Sequence, residues 1–201
     1  GLPDAFRIGK KFIDKDNISL ILGDNFFYGQ SLSEKLKKNS KLKKGATIFL
    51  YPVKNPNRFG VATLKGNKII NLIEKPKKTT SSLAVTGLYF FDNSVIKKTL
   101  NLKKSKRKEF EIIDLLNIYK KNNLLKAEHL GRGAAWLDAG TIDDFNQTSN
   151  FVSSIEKRQG LKIACLEEIA LLNRWIDKKK LIKAISFYGN CDYSKYLKNL
   201  I

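Results

Sequence analysis

Two aspartates stand where apolar runs stop. Residues 18–22 end at Gly23-Asp24-Asn25, and Trp136 and Leu137 end in the same way at Asp138. Each run reads as a buried segment delivering one carboxylate to its end. A pair of carboxylates suits magnesium, a hard ion that takes oxygen ligands in octahedral array and completes its shell with water and substrate phosphate. Gly23 removes side-chain bulk where a phosphate could approach, and Asn25 adds a donor and an acceptor. Taken singly, each site has a plainer reading. Gly23-Asp24-Asn25 also reads as an ordinary turn, and Asp138 as a carboxylate in a turn or near a helix cap. The chemistry depends on whether the two meet in space.

Other residues carry weaker signals. Glu74-Lys75-Pro76 ends a strand-like run, with proline as the stop. A carboxylate there could hold paired sugar hydroxyls and a lysine could pair with phosphate, or the two could form a surface ion pair. Arg58-Phe59-Gly60-Val61 and Ala84-Val85-Thr86-Gly87-Leu88-Tyr89 place glycines inside strand-like runs, marking a bulge or a close backbone approach to a ligand. The single His129 is given no role, and no Ser/His/Asp or Cys/His arrangement points to acyl transfer. The lack of a histidine base does not exclude nucleotidyl transfer. A sugar phosphate is already an anion and needs only alignment and neutralised charge on the phosphate it attacks.

The elements that must position these residues alternate up to about residue 131. Residues 18–22 form a short apolar run, the pattern of a strand buried on both faces. Residues 31–38 read as a helix, with Ser31 and Glu34 as a capping box. Strands are predicted over 46–53 and 84–91, with a hairpin of 59–64 and 68–73 about Gly66-Asn67. Ile112, Leu115, Leu116 and Tyr119 give 110–121 helical spacing, and 124–130 is a further strand. Thr141 and Asp144 then resemble a capping box opening a long helix, and the tail reads as helical to its end. The pattern predicts an α/β fold, with an α/β domain over 1–140 and a C-terminal helical extension over 141–201 packed on it.

Composition narrows the class. With 201 residues and 42% hydrophobic content, the chain can bury one substantial core. No stretch approaches the roughly 18 apolar residues of a membrane span. Cys165 and Cys191 lack CxxC spacing, which argues against zinc and disulfides and fits a reducing cytoplasm. The net charge of +19 is almost all lysine in short runs without interleaved aromatics, so it reads as solvated surface rather than a nucleic-acid face. The chain begins at Gly1 and has no methionine, so it is expected to be a fragment or processed product.

Together the ordered motifs resemble the sugar-nucleotidyltransferases, most closely the short-tailed glucose-1-phosphate thymidylyltransferases of dTDP-rhamnose synthesis. They are Ile21-Leu22-Gly23-Asp24-Asn25, Arg58-Phe59-Gly60-Val61, Glu74-Lys75-Pro76, residues 84–89, Trp136-Leu137-Asp138-Ala139-Gly140-Thr141 and the 151–163 tail. The resemblance covers essentially the whole chain. It implies a Rossmann-like nucleotidyltransferase mixed sheet flanked by helices. It also implies catalytic Asp24 and Asp138 as Mg2+ ligands, with Lys75 the third catalytic residue. Gly60, Glu74, Lys75 and Val85 match positions that contact glucose or its phosphate, with Phe59 and Tyr89 nearby. Gly1 matches a segment that contacts the thymine nucleotide, and Asn25 falls in the same site.

The implied reaction joins dTTP and glucose 1-phosphate to give dTDP-glucose and pyrophosphate, in a homotetramer with a second nucleotide site at a subunit interface. The family's N-terminal Gly-rich loop, a triphosphate cradle, has no counterpart here, so the isolated chain is expected to be inactive and poorly stable. Gln30, Leu166 and Lys108 also depart from the family pattern, at places that bear on regulation more than chemistry. Two alternatives stay open. One is a uridylyl- or cytidylyltransferase of the same fold; the other is a non-catalytic basic module that binds anions or nucleic acid.

Overall fold

A computed structural model describes residues 1–201. The chain divides into two compact units, Gly1–Gly140 and Thr141–Ile201. The first opens with two short helices, α1 (Asp4–Ile8) and α2 (Lys10–Ile13), followed by strands β1 (Ile18–Ile21) and β2 (Asn25–Tyr28). Next come α3 (Leu32–Asn39), β3 (Ala46–Pro52), the hairpin β4 (Gly60–Lys65) and β5 (Lys68–Glu74), and β6 (Leu83–Phe91). The unit closes with α4 (Val95–Leu100), α5 (Ile112–Lys121), β7 (Leu125–His129) and β8 (Ala135–Asp138). The second unit is all helical: α6 (Ile142–Gln159), α7 (Leu166–Leu172), α8 (Lys178–Tyr188) and α9 (Asp192–Lys198).

The predicted mixed sheet is present. Its order is β5-β4-β6-β3-β7, with β1 also paired to β6; β3 and β7 run parallel and the other pairs antiparallel. The central strand β6 is buried on both faces, and its alternating side chains feed two cores. Val85, Tyr89 and Phe91 pack with Phe6, Ile112, Leu115, Leu116 and Tyr119. Ala84, Leu88 and Phe90 pack with Phe49, Leu130 and Trp136, and Leu32 and Leu36 of α3 cover that side. The helical unit has its own smaller core around Leu181, Ile185 and Leu197.

Two local expectations need correction. The run at 18–22 is not buried on both faces: β1 alternates, and Ile21 is 58% exposed. Ile18 and Leu20 pack against the core, while Ser19 and Ile21 alternate to an exposed face. Ser31 does precede α3, but its side chain makes no capping bond. Its backbone sits near φ −86°, ψ 1°, rather than in the extended conformation that aims a cap hydroxyl at the third helical N–H. At Thr141 that geometry is met, and its hydroxyl accepts from the Asp144 N–H at 3.1 Å.

One buried polar knot ties β6 to the rest of the unit. Burial alone would raise the Asp92 carboxyl, but the Gly45 N–H and the Ser94 and Tyr119 hydroxyls donate to it and hold it below the ordinary aspartate range. A depressed acid contributes stability above its unfolded pKa and loses it as pH falls through the folded value. Thermal melts taken from about pH 5 down to about pH 2 should therefore fall for the wild type and flatten for Asp92→Asn. Equal slopes in the two proteins would remove Asp92 from the acid response.

Candidate active site

β2 and β8 form a separate antiparallel ribbon, with Asn25 paired to Asp138 and Tyr28 to Ala135. This register sets the end of one strand beside the start of the other. Asp24, just before β2, accepts on its backbone carbonyl from the Ala139 N–H at 2.7 Å. A Cβ built on Gly140 would lie 3.6 Å from Asp24 Oδ2 and 3.6 Å from Asp138 Oδ1. Both carboxylates thus border the same point beside Gly140. No group of three or more His, Cys, Asp or Glu side chains is placed to hold a metal, so this is a two-carboxylate pair.

The pair opens into a pocket of about 230 Å3. That is below the ~300–1,000 Å3 of clefts for drug-sized ligands, and suits a group of monosaccharide size. Its lining brings together nine of the ten residues singled out in the sequence: Asp24, Asn25, Phe59, Gly60, Glu74, Lys75, Val85, Tyr89 and Asp138. Gly1 is not among them. It lies against the Phe110 backbone, so close that a Cβ would fall 2.1 Å from the carbonyl oxygen, and its neighbour Leu2 reaches the pocket instead.

Each wall has a local cause. Gly60 pairs with Glu74 at the mouth of the β4–β5 hairpin. A Cβ there would meet Ile113 Cδ1 at 2.7 Å and Glu74 Oε2 at 3.3 Å, so any larger residue would push into the pocket floor. Lys75 follows β5 with φ +42°, a left-handed conformation costly for a lysine, while its N–H donates to the Phe59 carbonyl at 3.0 Å. The strained turn redirects the chain just after Glu74.

Burial raises the Glu74 carboxyl and the nearby Glu111 charge adds to that, while Arg107 and Lys75 oppose it. Arg107 sits 3.5 Å from Glu74 and grips Glu111 through two hydrogen bonds of 3.1 and 2.7 Å. Burial and the Glu74 charge push the Tyr89 hydroxyl well above the usual tyrosine range, so it is a neutral donor.

Sequence reasoning gave no site role to Trp136, Arg58 or Ile113 and marked Gly87 only as a bulge or a close backbone approach to a ligand; all four line the pocket. A signal existed for two of them. Counting by twos along a strand, Gly87 lies between Val85 and Tyr89, and Trp136 shares a face with Asp138. A larger groove of about 740 Å3 lies within the helical unit, but its charged groups largely neutralise one another: Lys162 pairs with Glu156 and Lys195 with Asp192. No helix of the chain is long and apolar enough to cross a membrane.

The nucleotidyl transferase family pattern matches residues 1–155. A glucose-1-phosphate thymidylyltransferase of Neisseria meningitidis is 45% identical over 202 residues, which span 100% of this chain and 70% of that protein. Among solved structures, a Bacillus anthracis protein assigned as a glucose-1-phosphate thymidylyltransferase, in complex with a sucrose, is similar with a TM-score of 0.68 at 36% identity. That match covers 75% of this chain and 60% of the other. A UDP-glucose pyrophosphorylase complexed with UDP-glucose shares the fold alone, with a TM-score of 0.66 at 22% identity over 77% of this chain and 62% of its own.

Proposed function

Because the chain belongs to the nucleotidyl transferase family, we propose that it carries the metal- and sugar-binding side of a glucose-1-phosphate thymidylyltransferase. The observation behind this reading is the convergence of Asp24, Asp138, Glu74 and Lys75 on one sugar-sized pocket. The reaction is transfer of a thymidylyl group from dTTP to glucose 1-phosphate. A phosphate oxygen of the sugar forms a bond to the α-phosphorus as the bond to the pyrophosphate oxygen breaks. No covalent enzyme intermediate forms and no base is needed, since the attacking oxygen is already anionic.

The donor set fits a hard divalent cation. Two carboxylates and no nitrogen or sulfur ligand leave the remaining positions to water and phosphate, the usual mode for Mg2+. Asp24 and Asp138 would hold that ion, and its charge would offset the negative charge that gathers on the phosphate under attack. Glu74, when ionised, accepts from a pair of sugar hydroxyls, and Gly60 lets the ring lie against backbone. Lys75 places its ammonium at the sugar phosphate, a point charge suited to that role. By the same resemblance the working protein is a homotetramer of the cytoplasm, with Cys165 and Cys191 unpaired.

The test is a pyrophosphate-release assay with glucose 1-phosphate and dTTP, UTP or CTP. It is run on the chain alone and on the chain joined to the family's glycine-rich loop segment. The chain alone is expected to be inactive, and the joined form to release pyrophosphate with dTTP in preference to the other two. A preference for UTP or CTP would reassign the nucleotide, and no release with any of the three would overturn the reading.

A further inference from the structure

The side chain of Asn25 does not hang free in the pocket. Its Oδ1 accepts from the Gly87 backbone N–H at 3.0 Å and from the Trp136 indole N–H at 2.6 Å. Its Nδ2 donates to Asp24 Oδ1 at 2.8 Å. The orientation of this amide is forced. A backbone N–H and an indole N–H can only donate, and an ionised carboxylate can only accept, so a flipped amide would lose all three bonds. Position 87 must also be small, because a Cβ there would lie 2.6 Å from Asn25 Oδ1.

The consequence falls on Asp24. Its Oδ1 is engaged by Asn25, and Oδ2 is the oxygen that borders Gly140, as Asp138 Oδ1 does. The link needs an acceptor and a donor on one short side chain, and the asparagine amide supplies both. An aspartate at 25 would set two carboxylates against each other, and a serine would not span from the Trp136 and Gly87 donors to Asp24.

We propose that Asn25 is a positioning residue, which takes its orientation from Trp136 and Gly87 and fixes the Asp24 carboxylate so that Oδ2 faces the cation. The proposal rests on the reading of Asp24 and Asp138 as the metal pair. Groups that orient a metal ligand from behind typically contribute about 10–100-fold to metal affinity.

The test uses Mn2+ alone as probe, titrated into the 201-residue chain and followed by electron paramagnetic resonance. Asn25→Ala should weaken Mn2+ binding by about tenfold or more. Trp136→Phe keeps the ring against Tyr51 and Phe59 and removes only the N–H, and it should weaken binding less, in the same direction. A second readout needs no metal. The chain has two tryptophans, and Trp175 is 69% exposed, so its indole N–H should exchange quickly while that of Trp136 is protected. Asn25→Ala should abolish that protection and leave Trp175 unchanged.

If Asp24→Asn weakens Mn2+ binding while Asn25→Ala and Trp136→Phe bind like the wild type, the proposal is overturned and the metal pair stands. If Asp24→Asn itself binds Mn2+ like the wild type, the metal reading fails and the proposal falls with it. Should Asn25→Ala fail to fold, Trp136→Phe decides alone.

Discussion

Asp138→Asn should abolish metal-dependent pyrophosphate release, and Asp24→Asn should do the same. Each change keeps the volume of the side chain and the strand register and removes one unit of negative charge. In a two-carboxylate site that is half of the protein's charge on the cation, and no third carboxylate stands by to replace it. Charge stabilisation by a bound metal is worth several kcal/mol in the transition state, and each 1.36 kcal/mol is tenfold in rate, so a loss of about a thousandfold or more is expected. The measurement is turnover against Mg2+ concentration in the form joined to the glycine-rich loop. Raising Mg2+ should restore part of the rate if the defect is affinity. Retention of more than about a tenth of wild-type turnover in either variant would remove that residue from the metal pair.

The second large effect lies in the packing behind the pocket. Phe91 is fully buried at the end of β6, with its ring centroid 5.2 Å from Phe6, 5.6 Å from Tyr119 and 6.1 Å from Tyr89. Three aromatic neighbours on different elements cannot all close over the space a methyl group leaves. Phe91→Ala should therefore cost about 3–5 kcal/mol. At about 2–4 °C per kcal/mol for a chain of this size, the melting midpoint should drop visibly by calorimetry. The site should suffer as well, because Tyr89 lines the pocket from the same strand face. A melt within about 2 °C of the wild type would show that the cluster relaxes around the missing ring.

Much of the first unit was legible because its signals are local. The apolar runs of β3 and β6, the Gly66-Asn67 turn and the helical spacing of Ile112, Leu115, Leu116 and Tyr119 each specify an element without outside help. The β2–β8 ribbon was not legible in this way. Asn25, Phe26, Phe27 and Tyr28 follow a turn motif so closely that they read as its continuation, and their strand character depends on the distant β8, which pairs Asn25 with Asp138 and Phe27 with Trp136. The role of Asn25 was hidden for the same reason. Its type announced a donor and an acceptor, but only the fold shows where each points. Lys75 illustrates a different limit. Glu-Lys-Pro signals the end of a strand, yet nothing in the residue types foretells a left-handed lysine there.

The ribbon also sets a limit on affinity. Two strands alone have marginal stability in water, and this pair draws support from Trp136 in the core and from the Asn25 bonds to Gly87 and Trp136. A ligand that needs both Asp24 and Asp138 binds only while the ribbon is closed, so its apparent dissociation constant is the intrinsic one divided by the closed fraction. Substitutions far from any ligand can therefore weaken binding simply by changing how often the two strands are zipped. Conversely, a cation held by the proposed pair would act as a clasp, drawing the population toward the closed ribbon by its own binding free energy.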